Sequence, residues 1–258
     1  MTDYHTQWLI ETACNLSSKT DACRPVDVEG IAGNLSVEIA EYYFPDHQRT
    51  RGFVEDCGKG SLRILLERPL AKGTPLSVRE RFTVAHELAH VLLIKRFSWN
   101  PTQGKEYFLC ERLCNLFAGH LLVPQKVIRS LTIHSPAQAV DSATALRDAY
   151  RVSLQVAARR IVDSSIRLTF FRGKPSANWK KQPVVDVLWA ECSAGAPVLR
   201  AQQHLSVNSS LGSFFLNRVF SSPYFNGSTK LDLGEVYARC TPRMNSFAAI
   251  CCEAALEK

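Results

Sequence analysis

The stretch Arg81–Leu93, "RFTVAHELAHVLL", places two histidines and a glutamate in an otherwise apolar segment. On a helix, residues four apart lie on one face, so the rings of His86 and His90 can bind one ion. Glu87 lies beside that face, where its carboxylate can take a proton from water that the ion acidifies. The pattern His-Glu-x-x-His therefore predicts a metal site with Glu87 as the catalytic base. Two structural histidines that flank a glutamate are the alternative.

Signals on both sides of this segment predict two consecutive helices. "SVRE" is a capping box, so one helix begins at Ser77 and continues to about Arg96, where the loop "FSWNPTQG" ends it. A second helix is expected from about Lys105 to Leu122, and it stops before Pro124. The loop is long enough to bring the second helix alongside the first.

The second helix offers the remaining ligand. A catalytic zinc site of this type has two histidines and one carboxylate, and leaves a fourth position for water. Glu111 is the predicted carboxylate, although Glu106 competes with it and a solvated surface acid is the alternative. Asn115, one turn further, could orient His86 or His90 through the other ring nitrogen. Manganese or iron would also suit these donors.

These residues together resemble the ImmA/IrrE-type metallopeptidases. The family patterns read approximately R-x-F-T-x-A-H-E-x-x-H and E-x-x-A-N-x-F-A-x-x-L-L-x-P, which "RERFTVAHELAHVLL" and "ERLCNLFAGHLLVP" match. The resemblance covers about residues 20 to 163. Cys114 departs from the pattern by replacing the usual alanine, and Gly119 and His120 replace a common Ala-Glu. Cys110 and Cys114 would make the site redox-sensitive or would fill buried space.

The resemblance implies a zincin-like, gluzincin-type domain with a short β-sheet and a metal-binding helix. It implies that Zn²⁺ is held by His86, His90 and Glu111, and that Glu87 activates water for hydrolysis of a peptide bond. Members of the family cleave helix-turn-helix transcriptional repressors and so release stress-response or mobile-element genes. A partner repressor is the implied substrate of this chain.

The residue that stabilises the oxyanion is not evident from the sequence. Tyr107 and His120 are candidates for contacts with the oxyanion or with the substrate. His120 lies two and a half helical turns beyond Glu111, which makes it the more distant of the two.

The composition of the chain indicates where in the cell the protein is located and which kinds of partner it can bind. The 258 residues contain no basic start followed by an apolar run and no apolar stretch of the roughly 18 residues that a membrane span needs. The nine cysteines lack the spacing of a disulfide framework, which favours reduced thiols. We therefore expect a cytoplasmic protein without membrane contact. The net charge of +7 suits an acidic protein surface, or indirect or weak contact with DNA, without demanding either.

The order of the predicted elements gives an α+β fold in three parts. Residues 1–125 form the metallopeptidase domain, and 126–165 form a helical segment that is either helix-turn-helix-like or a pair of capping helices. Residues 166–258 are strand-rich and form a mainly β or α+β domain. Family members of similar layout carry a GAF-like sensory domain there, although no residue pattern in this part identifies one.

Two rival functions remain open at this point. The first is a non-enzymatic regulator that contacts DNA or a repressor through residues 141–162, with a structural metal site. The second is a toxin-type or broad peptidase without a dedicated repressor.

Overall fold

The computed structural model describes residues 2–19, 25–42, 52–67, 74–163, 168–178, 180–194, 196, 198–206, 208–222, 224–231, 234–241 and 245–251. The helices in these ranges are α1 (Thr2–Ser18), α2 (Val28–Asn34), α3 (Val78–Phe97), α4 (Gly104–Leu122), α5 (Gln125–Arg129), α6 (Pro136–Tyr150), α7 (Leu154–Val162) and α8 (Ser210–Phe214), which continues into a π-helical turn, Phe215–Val219. The strands are β1 (Glu38–Tyr42), β2 (Gly52–Gly58), β3 (Ser61–Glu67), β4 (Leu168–Ala177), β5 (Pro183–Cys192), β6 (His204–Ser206), β7 (Asn226–Leu231), β8 (Gly234–Thr241) and β9 (Asn245–Cys251). The predicted α+β class is confirmed.

The chain divides into two compact units. The first contains residues 1–127 and 148–153, and the second contains residues 128–147 and 154–258. Helix α6 contributes residues to both units.

A three-stranded sheet with the order β1-β3-β2 lies in the first unit. The central strand β3 pairs in parallel with β1 and antiparallel with β2. In the turn between β2 and β3, the residues Gly58, Lys59 and Gly60 all have positive φ angles. Among the described residues, β2 is an edge strand.

Helix α3 begins and ends as its sequence predicts. The Ser77 amide donates to the Glu80 carboxylate at 2.6 Å, and the Glu80 amide donates to the Ser77 hydroxyl at 3.2 Å, which completes the capping box. At the other end, Ser98 adopts the left-handed conformation with φ 52° and donates its amide to the carbonyl of Ile94. This conformation ends the helix and satisfies a terminal carbonyl.

The apolar face of α3 holds the helix against the rest of the first unit. Leu88, Ala89 and Val91 are fully buried. Arg81 is buried as well, and its guanidinium donates to the carbonyl of Val26 at 2.9 Å. Since a buried guanidinium needs such partners, this contact ties α3 to the chain just before α2.

Helix α4 packs alongside α3, as the loop length predicts. Gly104, with φ +73°, opens the helix in a conformation that favours glycine. Phe117 and Leu121 are fully buried, and the helix ends at Leu122, two residues before Pro124. Another face of α4, which lies beside α3, carries the polar side chains of Glu111 and Asn115.

The second unit is built on an antiparallel six-stranded sheet with the order β6-β5-β4-β9-β8-β7. Its core includes Phe171, Val185 and Phe215. Helix α7 contacts this sheet through Gln155 and Arg159, which both donate to the carboxylate of Glu191. The strand-rich character predicted for the C-terminal part is therefore present.

Two further findings bear on the compositional expectations. No helix among the described residues is long and apolar enough to cross a membrane. The described free thiols belong to Cys14, Cys57, Cys110, Cys114, Cys192 and Cys240. Cys23 and Cys252 lie outside the described residues.

Candidate metal centre

The two histidines of α3 turn the same ring nitrogens toward each other. The Nε2 atoms of His86 and His90 are 3.2 Å apart, and the ring centroids are 5.0 Å apart. The helical spacing of four residues places both rings on one face, as the sequence predicts.

Glu111 of α4 lies opposite these two nitrogens. Its carboxylate oxygens are 3.4 Å from Nε2 of His86 and 3.2 Å from Nε2 of His90. Tetrahedral ligands about 2.0–2.1 Å from a zinc ion are about 3.3 Å from one another. The donor types and their separations therefore fit a tetrahedral cation bound by two imidazoles and one carboxylate.

The outer nitrogen of each ring faces a side chain of α4. Nδ1 of His86 lies 3.0 Å from the amide oxygen of Asn115, and Nδ1 of His90 lies 3.7 Å from the sulfur of Cys110. A hydrogen bond from Nδ1–H leaves Nε2 with its lone pair toward the shared centre. The expected contact of Asn115 with a histidine is thus present at His86.

Glu87 is a buried acid beside the two histidines. Only 8% of its surface is exposed. Burial raises the pKa of Glu87, while the nearby His86 and His90 oppose that rise. A carboxylate whose pKa is raised toward neutrality is better suited to accept a proton and return it.

The cluster formed by His86, His90 and Glu111 holds a proton on His90 strongly. Burial lowers the pKa of His90, but hydrogen bonds with Cys110 and Glu111 outweigh it and raise the pKa to about 10. Hydrogen bonds from His86 and His90 lower the pKa of Glu111 to about 2. A cation that enters this cluster takes the place of that proton.

Cys114 is the competing third donor. Ligand atoms of His86, His90 and Cys114 all lie within 4.8 Å of one another. A hydrogen bond with Cys110, together with burial, raises the pKa of Cys114, so its sulfur stays protonated. Metal ligation needs the deprotonated sulfur, whereas the carboxylate oxygens of Glu111 lie within 3.4 Å of Nε2 of both rings. Glu111 is therefore the better-placed candidate for the third donor.

A cavity of about 730 Å³ opens onto these residues. One wall is the side of α3 from Arg79 to His90, which is about 16 Å of helix. Gly52–Val54 of the edge strand form another wall, and Asn100 and Tyr107 also line the space. The cavity is therefore an elongated cleft between a helix and a strand edge.

Gly52 brings β2 close to α3. A Cβ atom at this position would lie 2.5 Å from Cγ2 of Thr83 and 3.6 Å from Cγ of Glu87. The first distance is far shorter than van der Waals contact, so only glycine permits this approach of the strand. The backbone of β2 is thereby held next to the candidate base.

The remaining sequence-predicted residues divide into two groups. Tyr107 lines the cavity, and the charge of Glu111 raises the pKa of its phenol, which keeps it a proton donor. His120 is buried with 6% of its surface exposed, and it does not line the cavity. Glu106 is exposed and is also absent from the cavity wall.

Sequence reasoning missed several cavity residues. Gly52, Arg79 and Asn100 lie on three different segments, and no short motif connects them. The contact of Cys110 with His90 was not predicted either. Its signal in the sequence is the position of Cys110 directly before Glu111 on the same helix.

Comparisons with known proteins identify one similar fold and one matching family model. One solved structure, described as a Mycobacterium tuberculosis transcriptional regulator, has a TM-score of 0.53 and 14% sequence identity, and the match covers 93% of this chain and 74% of that one. At this identity the likeness shows a shared fold. No curated protein has a significant sequence match to the chain. Residues 77–162 match the family model Peptidase M78, described as the IrrE N-terminal-like domain. This segment, which contains His86, Glu87, His90 and Glu111, matches the IrrE N-terminal-like domain of the M78 peptidases, so the resemblance to the ImmA/IrrE family is confirmed for these residues.

Proposed function

We propose that the protein is a zinc-dependent endopeptidase that cleaves a partner helix-turn-helix repressor. Cleavage would relieve repression of stress-response or mobile-element genes in the cytoplasm. The observation that carries the proposal is the three-donor cluster of His86, His90 and Glu111 beside the buried Glu87.

The donor set fits a divalent cation, for which zinc is our proposed choice. The ion would be held by His86, His90 and Glu111, and it would supply Lewis acidity that acidifies water and polarises a carbonyl group. Glu87 would take the proton of the attacking water and later deliver it to the leaving amine. Tyr107 is the candidate donor to the oxyanion, because it lines the same cavity and stays protonated.

The cleft suits an extended peptide. About 16 Å of helix flanks it, and an extended chain advances about 3.3 Å per residue, so about five residues fit along this wall. In the part of the sheet that the structure describes, Gly52–Val54 belong to an edge strand, and strand edges are a common place for extended peptides to dock. This arrangement supports a peptide substrate over a compact small molecule.

The choice of a repressor as substrate rests on the family resemblance. The fold likeness to a protein described as a transcriptional regulator is in line with a regulatory role. Direct DNA reading by residues 141–162 has less support, because Gln155 and Arg159 are both bonded to Glu191 of the neighbouring sheet. A groove-reading helix would need such side chains for base edges.

The test is incubation of the zinc-loaded protein with any small helix-turn-helix protein that is found to be encoded beside its gene. We expect the wild-type protein to cut this repressor at one site. The Glu87→Gln variant should retain zinc and lose cleavage by about a hundredfold or more, because the base is gone while the three ligands remain. A chelator should abolish cleavage by the wild-type protein.

Two controls sharpen this test. Zinc content measured on each variant separates loss of the base from loss of the metal. An unfolded, unrelated protein offered as substrate separates a dedicated protease from a broad peptidase. Cleavage that persists in Glu87→Gln, or a repressor that stays intact with the zinc-loaded wild-type protein, would refute the proposal.

A further inference from the structure

The two histidines of the metal centre are held by different partners. His86 faces the amide oxygen of Asn115 at 3.0 Å, whereas His90 faces the sulfur of Cys110 at 3.7 Å. Histidine ligands usually donate their second ring N–H to a carboxylate, a carbonyl or water. A thiol sulfur in that place is a feature of this chain.

We propose that Cys110 is a positioning residue of the metal centre, whose sulfur accepts a hydrogen bond from Nδ1–H of His90 and so directs Nε2 of that ring toward the cation. The proposal rests on the metal site of the proposed function. It adds the residue that holds one ligand in its binding orientation.

Burial makes this contact effective. Cys110 is fully buried, and only 13% of the His90 side chain is exposed. Water therefore has little access to Nδ1 of His90, and a buried ring N–H without a partner would cost about 1–3 kcal/mol. Sulfur is a weak acceptor, and its larger radius accounts for a contact of 3.7 Å.

One helix supplies the third ligand and both partners of the histidines. Cys110, Glu111 and Asn115 all lie on α4, while both histidines lie on α3. The packing of α4 against α3 thus sets the ligand distance and the two ring orientations together. Loss of the Cys110 sulfur releases the ring of His90 and also removes the hydrogen bond between Cys110 and Cys114, whereas loss of the Cys114 sulfur removes only the latter of these two contacts.

Cys114 provides a matched control. It lies one turn beyond Cys110 on α4, is equally buried, and loses the same atom when changed to alanine. If buried volume alone mattered, Cys110→Ala and Cys114→Ala would weaken zinc binding equally.

The experiment measures zinc affinity of the full chain by competition with a chromophoric chelator. At pH 9.5, where displacement of the His90 proton contributes little to the measured affinity, we expect Cys110→Ala to bind zinc about 10- to 100-fold more weakly than the wild-type protein. Cys110→Ser should recover much of the loss, because a hydroxyl also accepts a hydrogen bond. Cys114→Ala should leave the affinity close to that of the wild-type protein.

A spectroscopic measurement distinguishes positioning from direct ligation. Nitrogen NMR of the zinc-loaded protein should show His90 protonated at Nδ1, with a weaker hydrogen-bond signature in Cys110→Ala. A sulfur-to-cobalt charge-transfer band in the cobalt-loaded protein that vanishes in Cys110→Ala would make Cys110 a ligand and overturn the proposal.

Equal effects of the two alanine variants would also overturn it, as would unchanged affinity in Cys110→Ala. If the wild-type protein binds zinc and cleaves a repressor while Cys110→Ala is unaltered, this inference alone fails. If the wild-type protein binds no zinc, the proposed function fails with it.

Discussion

Zinc affinity should rise steeply with pH, because the metal-free centre holds a proton that the ion must displace. The pKa of His90 is raised to about 10, whereas that of Glu111 is lowered to about 2. At pH 7 the carboxylate of Glu111 is ionised and the imidazole of His90 is still protonated. One proton is therefore released from His90 when zinc binds at neutral pH.

The size of the effect follows from the distance between pH 7 and a pKa of about 10. Each pH unit corresponds to about 1.4 kcal/mol, so removal of the proton at pH 7 costs about 4 kcal/mol. The apparent zinc affinity should rise about tenfold per pH unit up to about pH 9 and level off near pH 10. The total gain is then about a thousandfold.

Chelator competition between pH 6.5 and 9.5 measures this slope. Calorimetry in buffers of different ionisation enthalpy counts the released protons independently. Glu111→Gln removes one hydrogen bond that raises the pKa of His90, so this variant should bind zinc more weakly and with a shallower slope. A wild-type affinity that does not change between pH 7.5 and 9.5, with no proton release, would refute the reasoning.

Four further outcomes can be measured. The contribution of His90 to the stability of the metal-free protein is fully present below about pH 6.5 and is lost as pH rises through about 10, so the melting temperature should fall from pH 7 to pH 10. Asn115→Ala should weaken zinc binding about 10- to 100-fold in the chelator assay. Gly52→Ala should lower peptide cleavage about tenfold or more at unchanged zinc content, because its Cβ would press on Thr83. Ser77→Ala should lower the free energy of unfolding by about 0.5–2 kcal/mol in urea denaturation.

The helices that carry the site could be predicted because their signals are local. The capping box at Ser77 and the position of Pro124 fix the two ends of the helical pair within a few residues. Helical spacing of four then places the two histidines on one face. The carboxylate of Glu111 followed from the ligand chemistry of zinc and from the length of the loop between the helices.

The rest depends on contacts between distant segments, which no local pattern encodes. The parallel pairing of β1 with β3 is one example, and the approach of Gly52 to Thr83 is another. For His120 a local signal was misleading. Its chemistry suggested a contact with the substrate, but its side chain is buried and does not line the cavity. The three-part domain ranges and the repressor partner stay predictions.

The chain passes between the two units more than once, so a fragment can contain the candidate site and still lack part of the first unit. The first unit is completed only when residues 148–153 return to it, and there Arg151 donates to the carbonyl of Leu76, just ahead of the Ser77 cap. A gene fragment that stops at residue 127 would encode His86, His90 and Glu111. It would lack the hydrogen bond from Arg151 that lies next to the start of the helix with the two histidines. Each unit is made of two separate segments of the chain. Recombination at a single border between them would therefore leave both units incomplete.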